Sequence, residues 1–364
     1  MKKVCVFSSV HNWDDTRIYN KQCHSLAKIY DVTYLAPAKE SKVFTNSFRL
    51  VNLPIWKTMS DRKKIRTCLF RKLKTIDAEI FHFHDPELIF IGLYLKYFKK
   101  KKIIYDIHED VAKQILDKDY IPSKLLRKMI SLAYWILEQF VIRLMDAVIV
   151  AGEDILSNYK PRVVINNFPI IRPPTSVKKD NTIVYIGNLN VIYGINQMVA
   201  AVKILNEKLG QNVCLKLIGK FEDVKLKTRI LEEYNKYIKY LGWMKQEEVY
   251  YEVSKSLVGI VNYLPIPNHY NLRSNKVFEY MECSLPVIYP NFPDWENKIG
   301  NYDVGISVDP LNVDQIAGAL NTLLEAHEKR KKMAKNSRTT VEKFFNWKTE
   351  EVKLLTIYYK LLGE

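Results

Sequence analysis

Short apolar runs alternate with helix-period segments along almost the whole chain. The alternation stops once, in a proline-bearing stretch, and then restarts. Parallel strands need a crossover between neighbours, and a helix is the usual one, so repeated strand–helix units predict doubly wound parallel sheets. The first series predicts strands over 2–8, 32–36, 48–53, 79–83, 102–107, 147–150 and 163–165. Helices are expected over 16–29, 65–73, 88–97 and 124–145. Residues 166–181 hold Pro169, Pro173 and Pro174 with little periodicity, which predicts a linker. The second series runs through 182–186, 195–209, 213–218, 223–237, 238–241, 247–254 and 257–263. Strands over 287–289 and 305–308 follow, then helices over 313–337 and 347–362. The expectation is an α/β chain with two domains, 1–168 and 182–346, joined by a linker at 169–181.

With 364 residues, 48% of them hydrophobic, the chain can build two cores, which excludes a disordered protein. Cys5, Cys23, Cys68, Cys214 and Cys283 show no CxxC pair and read as reduced thiols of a reducing compartment. The first apolar run is too short for a signal peptide. The longest apolar stretch, 129–150, carries Glu138, Arg143 and Asp146, which predicts a buried helix followed by a strand rather than a membrane span. The protein is therefore expected in the cytoplasm, peripheral at the inner face of the plasma membrane.

Of the net charge of +16, +11 falls in residues 1–165, concentrated in 57–74 and in Lys99-Lys100-Lys101-Lys102. Such patches suit lipid headgroups, nucleotide phosphates or nucleic acid, or are simply a solvated basic face. No DNA- or RNA-binding motif accompanies them, so nucleic acid is the weakest of these and is not an expected partner.

Neither the dinucleotide fingerprint GxGxxG nor a GxxxxGK[ST] phosphate loop is present. GxSxG and paired metal-ligand histidines are absent too. The loop Asp14-Asp15 with Arg17 reads as a helix cap or an acceptor contact rather than a metal site. Residues 271–288 are more specific. A polar loop enters a short helix bearing Lys276 and Glu279, Ser-Leu-Pro breaks it, and a buried strand follows. Free N–H groups at a helix start, beside a lysine and a carboxylate, suit a ligand with phosphate and sugar hydroxyls. A solvated helix cap explains the same residues.

Lys276-Val277-Phe278-Glu279-Tyr280-Met281 followed by Leu285-Pro286-Val287-Ile288 resembles the K-x-F-E-Y-M-x-x-G-x-P-V-I signature of the family-4 retaining glycosyltransferases, which have the GT-B fold. Tyr185-Ile186-Gly187, Leu217-Ile218-Gly219-Lys220 and Leu241-Gly242-Trp243 with Glu247-Glu248-Val249 resemble its second-domain strand ends. Asp106-Ile107-His108-Glu109, Ser9-Val10-His11 and Asp15-Thr16-Arg17-Ile18 are similar to first-domain loops of its polysaccharide-building members. Phe345-Asn346-Trp347 resembles the start of the helix, here 347–364, that crosses back to the first domain.

The resemblance implies two Rossmann-like domains with an interdomain cleft. It implies sugar transfer from a nucleotide-sugar, a UDP-sugar, to a glycan or lipid-linked acceptor, without an obligatory metal or other cofactor. Glu279 would take the ribose hydroxyls, with Asn275, Lys276, Tyr280 and Met281 at the helix that meets the phosphates and Gly187 at the strand end beside it. Trp243 and Met244 would flank the base. His108 would face the transferred sugar, although a strand-end histidine can merely cap a carbonyl. His84, Asp15 and Arg17 would lie on the acceptor side.

Three positions depart from the family pattern. Asn271 stands where a hexose-binding Glu is common. Asn188 and Tyr193 stand where cations are usual, leaving Arg273, Lys276 and Lys220 to stabilise the diphosphate. Ser284 replaces a glycine, which is tolerable if φ there stays negative. A catalytically weak relative that binds nucleotide or glycan within a synthase complex is the alternative. An epimerase would need first-domain carboxylates that cannot be placed, and a pyridoxal-type phosphorylase a longer chain.

Overall fold

The computed structural model describes residues 1–38, 48–55, 58–116, 118, 121–271 and 274–364. These divide into two compact units, Met1–Asn167 with Trp347–Glu364, and Phe168–Asn346.

The first unit holds strands β1 (Lys3–Phe7), β2 (Asp31–Pro37), β3 (Phe48–Leu53), β4 (Ile80–Phe83), β5 (Lys102–Ile107), β6 (Ala147–Val150) and β7 (Val163–Val164). They form one parallel sheet in the order β3-β2-β1-β4-β5-β6-β7. Strands buried on both faces read as continuous apolar runs, which is why Val4 to Phe7 and Ile103 to Tyr105 show no alternation. One face packs on the helices Met59–Leu73, Ile89–Lys99 and Lys124–Ile142 through Leu69, Ile89, Leu95, Val141 and Ile142. The other receives Ile18, Leu26, Trp347, Leu354 and Tyr358.

The second unit holds β8 (Thr182–Ile186), β9 (Cys214–Ile218), β10 (Ile238–Gly242), β11 (Val258–Ile260), β12 (Val287–Pro290) and β13 (Gly305–Val308). They form a second parallel sheet in the order β10-β9-β8-β11-β12-β13. In each sheet the strand order runs outward on one side of a central strand and then restarts on the other. The switch points lie between β1 and β4 and between β8 and β11. Open parallel sheets keep their ligand crevices beyond the strand C-termini at such points.

Four local readings change. The helix expected over 65–73 starts at Met59, because Thr58 and Asp61 form a capping box ahead of it. The segment expected as one helix over 16–29 is a π-helical run, Ile18–Cys23, followed by a single turn, His24–Leu26. The helix expected over 313–337 is two helices, Val313–Glu325 and His327–Phe344, with Ala326 at φ −80°, ψ 75° between them. Arg330 Nη1 donates to the open carbonyls of Leu323 and Leu324 at 2.6 and 2.7 Å, capping the first helix. The stretch read as a buried helix is Lys124–Ile142, and most of it is not buried: Met129, Leu132, Trp135, Ile136 and Phe140 face solvent. Among the described residues no helix is long and apolar enough to cross a membrane.

Candidate functional site

In the first unit, two buried carboxylates at the β1/β4 switch point organise the strand ends. Asp85, just past β4, accepts from the Ser8 hydroxyl (2.8 Å) and the Ser9 amide (2.6 Å), which fixes the loop that leaves β1. Its other oxygen lies 3.6 Å from His11 Nε2, and His11 Nδ1 is 3.3 Å from Asp15. Burial opposes protonation of His11, but Asp15 and Asp85 outweigh it and its pKa is raised. Asp15 also receives the amides of Arg17 and Ile18 at 2.9 Å each, so it caps the helical run that follows.

Asp106, one residue from the end of β5, is fully buried. Arg17 grips it with Nη2 at 2.9 and 3.1 Å and Nε at 3.2 Å, and Gln22 Nε2 donates at 2.7 Å. Burial alone would raise the Asp106 pKa, but the Arg17 guanidinium dominates and holds it well below the usual carboxylate range. The same carboxylate is 3.5 Å from His84 Nδ1 and from His108 Nε2, and these two nitrogens are 3.2 Å apart. The His11 ring lies 4.9 Å from the His108 ring, centroid to centroid. Of the two histidines on Asp106, His108 is the partly exposed one, at 15% of its side chain, and His11 beside it is 30% exposed.

His84 and Arg17 were expected on the acceptor side, and the structure places them elsewhere. The His84 side chain has no exposed surface, and burial pushes its pKa down to about 4, so it is a neutral support beneath His108. The Arg17 guanidinium is consumed by Asp106 and by the Ile165 carbonyl, to which Nη1 donates at 2.6 Å. A donor already satisfied and buried has nothing to offer a ligand. His82, His84 and Asp106 lie close enough to resemble a metal-binding group. The bidentate guanidinium on Asp106 opposes a dication there, because it already neutralises the one carboxylate in the set.

In the second unit the β8/β11 switch point gathers the residues of the signature. The loops leaving β8, β9 and β10 interlock through backbone bonds: Gly187 N–H to Ile218 O at 2.8 Å, and Gly219 N–H to Gly242 O at 2.7 Å. Gly219 has φ +143°, and a Cβ there would sit 1.9 Å from the Gly187 carbonyl oxygen. Only glycine permits this approach. A Cβ on Gly187 would meet Lys276 Cε at 2.4 Å, so the lysine stem lies directly against the first loop.

Lys276 Nζ donates to the Tyr263 hydroxyl at 2.7 Å and sits 5.1, 5.5 and 5.9 Å from the rings of Tyr263, Tyr193 and Tyr185. Neither the hydroxyl nor the three ring faces brings a counter-charge, so the ammonium is available to an anion. The helix Asn275–Glu282 begins beside it. Ser274 makes no side-chain cap, which leaves the first-turn amides of Asn275, Lys276 and Val277 without a partner in the helix. One turn further on, Glu279 is half-buried, and its carboxylate has no hydrogen bond or ion pair among the described residues.

Other expected donor residues are distributed around this centre. Lys220 Nζ lies 5.6 Å from the ring of Trp243, which is 65% exposed, while Met244 packs against the apolar cluster. Asn188 donates to Glu222 at 2.9 Å. Asn271 is half-buried beside the start of the signature. Arg273 lies outside the described residues. Tyr280 is not a ligand contact, because it is fully buried. Its hydroxyl accepts from the Ile186 amide at 2.9 Å and so ties the helix beneath β8. The amides of residues 280 and 281 also lie past the first turn, so the phosphate-facing amides are those of residues 275–277.

The sequence reading gave no role to His11, Asp85, Gln22, Tyr193 or Tyr263. Only the strand-end positions of Ser-Ser-Val-His and His-Asp-Pro-Glu hinted at the first two.

No curated protein sequence matches the chain. The family model described as glycosyl transferases group 1 matches residues 167–340, nearly all of the second unit. Among solved structures, sucrose-phosphate synthase from Thermosynechococcus elongatus superposes with a TM-score of 0.74 at 16% identity, over 100% of both chains. Anabaena Alr3699/HepE, solved in complex with UDP-glucose, gives 0.71 at 11% identity, over 99% of this chain and 100% of that one. WaaG, described as a glycosyltransferase involved in lipopolysaccharide biosynthesis, gives 0.64 at 12%, over 98% and 99%. The chain thus has the GT-B fold, and nearly all of its second unit matches the glycosyl transferases group 1 model.

Proposed function

We propose that the chain is a retaining glycosyltransferase of family 4 that moves a sugar from a UDP-sugar to a glycan or lipid-linked acceptor. Its setting is the synthesis of a bacterial surface polysaccharide, in the cytoplasm and at the inner face of the plasma membrane. One observation carries the donor assignment. A carboxylate that has no partner among the described residues, a caged ammonium and a helix start without a side-chain cap lie within one turn of one helix, at a sheet switch point. Glu279 accepts the two ribose hydroxyls, as a carboxylate with two oxygens can. The amides of residues 275–277 and Lys276 hold the diphosphate, whose negative charge grows as the glycosidic bond breaks. Lys220 adds a second cation, and exposed Trp243 offers a face to the base. His108 is the sugar-facing group, and no metal is required.

The Anabaena protein's complex with UDP-glucose supports UDP as the nucleotide, and the WaaG description supports the polysaccharide setting. A binding-only role draws support from one contact: the carboxylate of Glu222 holds Asn188, placing negative charge where the family usually has a cation.

Calorimetric titration with UDP and a donor-turnover assay, run on the parent and on Glu279→Gln, test both readings. The expected result is UDP binding with turnover that survives chelator, and UDP affinity about 10- to 100-fold weaker in the variant, the value of a charge-assisted hydrogen bond. UDP binding without turnover of any nucleotide-sugar supports the binding-only role. Equal UDP affinity in parent and variant would overturn the assignment of Glu279.

A further inference from the structure

The helix Lys124–Ile142 is inverted with respect to a soluble surface. Its inward side carries polar groups: Ser131 Oγ donates to the Ala112 carbonyl at 2.6 Å, and the Tyr134 hydroxyl donates to Glu138 at 3.0 Å. Its outward side carries Leu125, Met129, Leu132, Trp135, Ile136 and Phe140, each 49–68% exposed. Single exposed apolar residues are ordinary on any protein. Here residues 125, 129, 132, 136 and 140 follow steps of four and three, so they form one continuous stripe along the helix. A stripe of this length marks a surface that is covered in use.

The exposed charges of the helix itself are of one sign, while Asp110 and Asp154 line the groove beside Leu132 and Trp135. Lys124, Arg127 and Lys128 lie in the first turns, and Arg143 follows the last. The one acidic residue of the helix, Glu138, is buried, and burial pushes its pKa up to about 7. The neighbouring helix on the same face of the sheet, Ile89–Lys99, exposes Phe90 and Phe98 beside Lys96 and Lys99.

We infer that this helix seats the chain on an anionic lipid bilayer, lying parallel to the surface with its apolar stripe in the boundary between headgroups and acyl chains. The helix does not span. It is 19 residues long, about 28 Å at 1.5 Å per residue, and carries its cations along its flank and ends. A second copy of the chain is a poorer occupant, since it would bring the same cations against these with no acidic side chain on the stripe to answer them. A headgroup layer of phosphodiesters supplies that negative charge. The inference deepens the membrane-side setting proposed above and rests on it for its purpose, but it is read from the helix alone.

The test is flotation of the full-length chain with vesicles, without nucleotide-sugar. One set contains phosphatidylglycerol and phosphatidylethanolamine, the other phosphatidylcholine alone. The chain is expected to float with the anionic vesicles and to shift its tryptophan emission to the blue. The shift should shrink in Trp135→Phe. Leu132→Glu/Ile136→Glu should lose roughly tenfold or more in partitioning. Its melting temperature and UDP affinity should stay at the parent's values, because both side chains are exposed. Lys124→Glu/Lys128→Glu should weaken binding to the anionic set. The inference is overturned if the parent chain stays unbound on both sets, or if Leu132→Glu/Ile136→Glu floats as the parent does. It is also overturned if light scattering shows a dimer that this variant dissolves while vesicles bind neither protein. A chain that floats but turns over no donor overturns the transfer reading alone.

Discussion

His108 owes its position to groups that never reach the surface. Asp106 fixes it from below, with its charge balanced by Arg17, and neutral His84 lies 3.2 Å from its Nε2. That division makes a clean prediction at the scale of one side chain. In His108→Ala, turnover should fall by about 100-fold or more, the range of general acid–base and charge-stabilising groups. The melting temperature and UDP affinity should hardly move, since the ring carries none of the buried ion pair. Stopped assays with a saturating donor check this, and unchanged turnover would remove His108 from the chemistry. Local sequence could suggest His108, because it follows a strand directly. It could not pair His11 with Asp85, which stand 74 positions apart and become neighbours only when β1 pairs with β4. Nor could it show that Arg17 is buried, because its partner lies 89 positions away.

The helix Asn275–Glu282 shows how an element's two ends serve different purposes. Its start is left open, and its finish is closed by a pair of bonds in the Schellman pattern. Leu285 N–H donates to the Tyr280 carbonyl, and Ser284 N–H to the Met281 carbonyl, both at 3.0 Å. This closure puts Ser284 at φ +56°, so the condition under which serine could replace the family's glycine without strain is not met. A left-handed conformation costs an L-residue roughly 1–2 kcal/mol. Ser284→Gly should therefore raise the unfolding free energy by about 1 kcal/mol without altering UDP affinity. Denaturant titration checks the sign, and a destabilised variant would show that the serine side chain contributes more than its strain costs. Motif matching located this helix from its residues, whereas φ at one position follows from the bonds that end it. The break at Ala326 was equally illegible, since alanine is the best helix former and the signal is Arg330, four residues beyond. The helix Lys124–Ile142 differs from its sequence expectation for another reason: its composition is apolar, and composition cannot say which side of a helix faces the core.

Across the whole molecule, acid should act on the first unit through its buried imidazoles. Burial lowers the pKa of His82 and His84, the latter to about 4. In the unfolded chain these groups take up protons near the ordinary histidine value of about 6.5, so the native state loses stability as pH falls from there toward 4. Each contributes up to ~1.4 kcal/mol per pH unit inside that window. Glu138 and His11 work in the opposite direction, because their pKa values are raised in the fold. A difference isolates the effect. His84→Gln should be less stable than the parent at pH 7, and the gap should close as pH drops to about 4.5. Melting curves at several pH values decide it, and a gap independent of pH would mean that His84 does not resist protonation. At this scale the sequence was most legible. The parallel sheets follow from strand–helix alternation alone, whatever the side chains at the sites, because burying two faces of a sheet leaves few other topologies.

The helix Trp347–Leu362 belongs to the first unit although the whole second unit lies before it in the chain. Trp347 Nε1 donates to Ser25 at 2.9 Å, Tyr358 stacks on Tyr30, and its hydroxyl lies 2.9 Å from His82 Nδ1. On the ribosome, residues 1–167 therefore emerge before residues 168–346 yet lack one wall of their core until residues 347–362 follow. Residues 168–346 lie between and contain all of their own strands. Synthesis thus reverses the usual order in which the N-terminal unit folds first. The second unit can reach its native state on the nascent chain, while the first waits with the apolar face around Tyr30 and Ile80 uncovered. During that interval the unfinished face is a natural client for a chaperone, and a chain cut short at residue 346 would remain one.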